Sequence, residues 1–147
     1  MEMNERQSDF YQKIRNDVKR WVNDNLDTEN KWVDYILAAP DLFHLLCKLT
    51  ADSEIPSNKK LKLVAGIAYF ISPIDLLPEA FLGSVGYLDD IAVAAFILND
   101  IINEVDPQIV RKHWAGKQDV LVLIKTILAN ADKMIGSKMW QKIRKRF

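Results

Sequence analysis

The chain has 147 residues, 49% of them hydrophobic and 27% charged, with twenty basic residues against twenty acidic ones. That is enough apolar matter for a proper core, which excludes an intrinsically disordered chain. Balanced charge exerts no general pull on a polyanion, so nucleic acid is not an expected partner; the single Cys47 excludes an internal disulfide and fits a reducing, cytoplasmic setting.

The opening segment, MEMNERQSDF, is polar and lacks the apolar stretch of a secretory signal. From Ser8 onward, Phe10, Ile14, Val18 and Trp21 or Val22 recur every three or four residues, with charged residues between them. That spacing predicts an amphipathic surface helix. A second helix is expected from Thr28 as N-cap, with Trp32, Val33, Ile36 and Leu37 on one side and a break at Pro40. Pro40 then sits at the first position of a third helix, PDLFHLLCKLTAD, and SEIPSNKK reads as a polar linker.

The next helix is of another kind. From Leu63 to Ile71 it is apolar on every side, and so is Ile91 to Leu98 in the helix that follows. A helix apolar all round is enclosed by protein or by lipid. Leu63 to Ile74 is uncharged, but Asp75 ends it well short of the ~20 residues a span requires. The pair therefore reads as a central buried hairpin, joined by a connection from Pro73 to Gly86 with Pro78 and Gly83 in it.

Beyond Val105, Asp106 caps a short helix with Pro107 at its first position and Gly116 as its stop. Val120, Ile124, Ile127, Ala131 and Met134 stripe the following helix, which Gly136 ends. The last segment sets Met139 or Trp140, Ile143 and Phe147 on one face, with Lys138, Lys142, Arg144, Lys145 and Arg146 free for solvent or an anionic surface. No segment alternates as a strand does. The expected architecture is all-α: one domain, 1–147, of seven or eight helices, with a core hairpin over 60–98 and flanking helices over 1–56 and 106–147.

Four carboxylates, Asp75, Glu79, Asp89 and Asp90, stand in the apolar surroundings of this hairpin. Ser72, Pro73 and Asp75 form a capping-box variant, and one of Asp89 and Asp90 suits the positive end of the second helix. The remaining acid must be paired, hydrogen-bonded or protonated, with Lys59, Lys60, Lys62 or the basic tail as candidate partners. A hard divalent cation is the alternative, gathered by Asp75, Glu79, Asp89 and Asp90. His44 and Cys47 stand three apart, but no set of four zinc ligands completes them, and a core thiol beside a helix-edge histidine is the simpler reading. The four tryptophans stand at apolar helical positions, suited to core or seam.

The stretch KLKLVAGIAYFISPIDLLPEAFLGSVGYLDDIAVAAFIL resembles the small helical domain of the YkvA family, also catalogued as domain of unknown function 1232. Its Ser-Pro-Ile-Asp and Gly-Tyr-Leu-Asp-Asp elements carry the likeness; Leu77 and Glu79 stand where that family has Ile and Asp. The resemblance implies no activity, and it implies membrane association for some members. The expectation is thus a non-catalytic interaction or regulatory module that presents the Asp75 to Asp90 loop, peripheral to the inner face of a membrane. An unidentified protein partner is expected, and no cofactor beyond a divalent cation. The alternative is a metal-dependent hydrolase with Asp75, Asp89 and Asp90 as ligands.

Overall fold

The structure, a computed structural model, describes residues 4–24, 33–71 and 87–147. Among them are seven helices and no strand: α1 (Glu5–Asp24), α2 (Val33–Thr50), α3 (Ser57–Ile71), α4 (Tyr87–Glu104), α5 (Pro107–His113), α6 (Val120–Ile135) and α7 (Ser137–Arg146). The all-α expectation holds. Thr28, Trp32 and the connection with Ser72, Pro73, Asp75, Pro78, Glu79, Gly83 and Gly86 lie outside the described residues.

Local chemistry explains most of the boundaries. The Asn4 side chain accepts from the Gln7 amide at 2.8 Å, and Gln7 returns the bond to the Asn4 amide, a reciprocal cap at the start of α1. Asp106 accepts from the Gln108 amide at 2.9 Å with Pro107 next to it, as the sequence predicts. The short helix ends at His113, ahead of the expected stop at Gly116. A side chain at Gly116 would strike the Trp114 ring at 2.5 Å, so that glycine serves close packing. Gly136 adopts a φ of 89° between α6 and α7, a conformation only glycine takes without strain.

One expected break does not occur. Helix α2 runs unbroken through Pro40, which is buried. An interior proline forfeits a hydrogen bond to the carbonyl four residues back and costs ~3 kcal/mol. Its neighbours Ile36, Leu42, Phe43, Leu45 and Leu46 are all fully buried, each worth ~1.5–3 kcal/mol. Burial along the continuous helix outweighs the proline.

Helix α4 is the axis of the bundle. It packs against α2, α3, α5, α6 and α7, and every residue from Leu88 to Leu98 except Phe96 is buried. Helix α3 differs from expectation. It leans on α2 and α4 through Leu63, Gly66, Ile67 and Phe70, while Leu61, Val64, Ala65 and Ala68 face outward. The hairpin is enclosed on one arm only.

Candidate functional site

Asp89 and Asp90 open α4, and both are buried, at 0% and 2% exposure. These two acids are thus enclosed, not presented to a partner, while Asp75 and Glu79 of the expected acidic loop lie outside the described residues. The Tyr69 hydroxyl of α3 donates to Asp89 Oδ2 at 2.8 Å. Phe147, just past α7, sets its ring edge-on to Tyr69 at 5.8 Å, so the chain's last residues close over this bond. A buried carboxylate needs such donors, because burial without them costs several kcal/mol.

The lysines expected as partners are elsewhere. Lys59 reaches Asp100 at 2.8 Å and Glu104 at 2.6 Å, and Lys62 reaches Asp100 at 3.0 Å. Helices α3 and α4 are antiparallel arms, so the start of α3 meets the end of α4. Asp89 and Asp100 are eleven residues apart, ~16 Å along the helix. Hydrogen bonds to Asp100 and then Glu104 hold the Lys59 ammonium above its ordinary pKa. Burial opposes ionisation of Asp100, but bonds from Lys59 and Lys62 outweigh it and hold the carboxyl below its ordinary value.

A second polar cluster was not legible in the sequence. Asp52, in the turn before α3, receives His113 Nε2 at 2.6 Å and Lys112 at 3.3 Å, and Lys112 also reaches Glu54 at 3.3 Å. The His113 bond, with a backbone bond from Glu54, brings the Asp52 carboxyl down to about 2. The partners stand 61 positions apart, and only the packing of α5 against α2 unites them. The sole local signal was the basic run Arg111, Lys112, His113 at a helix end.

Among the described residues, no group of three or more His, Cys, Asp or Glu side chains converges as a metal site. Asp75 and Glu79, half of the proposed cation set, are outside those residues. Cys47 is buried and its thiol is pushed up to about 12, so it is no thiolate at neutral pH. Beside it, burial holds His44 below its usual range, and its ring meets that of Tyr11 at a tilt, 5.4 Å between centres.

Two surfaces remain as candidates. Helix α7 docks through Met139 and Ile143, with Trp140 edge-on to Phe96, and leaves Lys138, Lys142, Arg144, Lys145 and Arg146 exposed. The outward stripe of α3 exposes 73% of Leu61 and 50% of Val64. Val64, Ala68 and Ile71 share a groove with Arg6 of α1 on one flank. On the other flank, the Tyr69–Phe147 contact brings the basic end of α7 to the last turn of α3. The signal was available in the sequence: Leu61, Val64, Ala65 and Ala68 form one stripe at helical spacing, and Leu63, Ile67 and Phe70 a second.

No described helix is long and apolar enough to cross a membrane. A relative, "Uncharacterized protein ORF9" of Methanothermobacter thermautotrophicus, is 27% identical over 106 residues, covering 72% of this chain and 70% of that protein. No solved structure matches the chain significantly. Residues 59–96 match the model of the family described as "Protein of unknown function (DUF1232)", a match that does not extend to the narrower YkvA name. The match runs from the first turn of α3 to the middle of α4, and the description of that family assigns it no activity.

Proposed function

We propose that this protein is a non-catalytic interaction module that works against an anionic membrane surface. The carrying observation is the exposed apolar stripe of α3 with cations at both flanks, Arg6 on one side and the end of α7 on the other. Burying the exposed parts of Leu61 and Val64 in the interface contributes roughly 2–3 kcal/mol. Each cation near an anionic bilayer adds ~1 kcal/mol. Neither contribution anchors a protein alone; together they give reversible, salt-sensitive attachment.

The hydrolase reading has less support. Of its three acids, Asp89 and Asp90 are shut off from solvent, and Tyr69 already occupies an oxygen of Asp89. The test is co-sedimentation with phosphatidylcholine vesicles with and without phosphatidylserine. Binding is expected only with phosphatidylserine and should fade with salt, since the attraction is screened over ~8–10 Å at physiological ionic strength. Replacing Lys142, Arg144, Lys145 and Arg146 by Gln should abolish it, and Leu61→Ser with Val64→Ser should weaken it. An intact protein that stays in the supernatant at low salt removes the reading.

A further inference from the structure

Away from α3 and α7, a groove of about 840 Å³ runs between the first half of α2 and the start of α6. Its apolar lining includes Leu37 and Val122, exposed by 46% and 60%, and among the described residues its rim carries Asp34, Asp41 and Asp119 against the single cation Lys117. We propose that this groove docks a cationic amphipathic helix of a partner protein.

Size comes first. Asp34 to Asp41 on one wall and Asp119 to Thr126 on the other each span two helical turns. A helix about 10 Å across fills roughly 400 Å³ per turn, so the space takes about two turns. The wall is built in advance. Trp114 Nε1 donates to the Gln118 carbonyl at 2.9 Å, its ring lies over Gly116, and Asp119 caps α6 through the Leu121 amide. A preformed groove spares a partner the entropy of ordering it.

Charge selects the occupant. Acids outnumber cations three to one among the described lining residues, which repels anionic lipid and favours a basic segment. Asp41 points the same way: burial pushes its carboxyl up despite His44 and Arg15 nearby, so an arriving cation relieves an unfavourable burial. The chain's own basic helix cannot serve in trans as it stands, because α7 has its apolar residues Met139 and Ile143 buried on its own body. The segment before α2, NLDTENKW, holds Asp27 and Glu29 against Lys31 and has the wrong sign. A groove read by apolar side chains with charges at its rim is the usual way an amphipathic helix is recognised.

The test uses the full chain and a synthetic helical peptide of about four turns, built from Leu and Lys, beside an analogue with Glu for every Lys. Titration followed by backbone amide NMR should show saturable shifts at Leu37, Gly116 and Val122 with the Lys peptide and none with the Glu peptide. Val122→Asp, and separately Asp34→Lys with Asp41→Asn, should each weaken binding about tenfold or more. Leu37→Ser, at a half-exposed position, is the variant that keeps the fold beyond question and should weaken it less. Equal binding of both peptides, no binding, shifts confined to α3 and α7, or variants that bind as well as the parent would each overturn the proposal. So would concentration-dependent dimerisation that Val122→Asp abolishes, since the occupant would then be a second copy. Leu37→Ser leaves the charge and both α3 and α7 untouched, so vesicle binding should persist in that variant, and this test fails or succeeds apart from the membrane reading.

Discussion

Helices α3 and α4 have the same outward sequence character, an apolar run with no polar side, yet the bundle treats them differently. Five helices surround α4, and its residues from Leu88 to Leu98 are buried nearly without exception. Among the described elements only α2 and α4 pack substantially on α3, and Leu61, Val64, Ala65 and Ala68 are left on the surface. All-round apolarity therefore states that a helix needs neighbours on every side, not that its own chain supplies them. Where the neighbours are missing, as on α3, an external surface is the natural candidate. Where they are present, as on α4, the helix holds the fold.

This contrast can be broken by substitution, and the largest effect belongs to α4. Leu98→Ala, at a position with no exposure, should cost ~2–5 kcal/mol in chemical denaturation. A loss below ~1 kcal/mol would mean that α4 is not the axis. Gly66→Val comes next. A Cβ there already lies 2.8 Å from Ile97 Cδ1, so two further methyls should cost ~1–3 kcal/mol by forcing the arms apart. Tyr69→Phe removes the donor to Asp89 while keeping the ring against Phe147, and should cost ~1–2 kcal/mol. An unchanged melting temperature in that variant would show the bond to be dispensable.

The start of α3 offers a pH test. Asp52 has a folded pKa of about 2 against an ordinary 3.8. A lowered carboxyl contributes stability that is fully present above the ordinary value and is lost as pH falls toward the folded one. Melting temperature should therefore drop between about pH 4 and pH 2, and Asp52→Asn should flatten that part of the profile while lowering stability at neutral pH. The smallest effect is expected on the outer face. Leu61→Ser and Val64→Ser should change stability by no more than ~0.5 kcal/mol, because both side chains already face water. A clear loss in either would place that side chain in the core and erase the contrast with α4.

Elements governed by neighbours in the chain were legible in advance. The Asp106–Pro107 start, the buried stripe of α6 and the apolar seam of α7 under an exposed basic face all follow from residues within a few turns of each other. The reciprocal cap of Asn4 and Gln7 obeys the same local rule, although the expected helix began only at Ser8. The break at Pro40 failed because a local penalty of ~3 kcal/mol met burial contributed by other helices. Lys59 and Lys62, candidate partners for the hairpin acids, meet Asp100 and Glu104 instead, because antiparallel arms send the start of one to the end of the other.

What the sequence determined by itself is the helical class, some helix ends and which side chains seek shelter from water. Those depend on backbone hydrogen bonding, capping and period, each decided within four or five residues. Only the tertiary structure decided which shelter exists: the burial of both Asp89 and Asp90 with Tyr69 as a donor, the joining of Asp52 to His113, the groove between α2 and α6, and the open side of α3. Each of these depends on which helices lie beside one another, and a single helix's pattern records its own demand for burial without naming the surface that meets it.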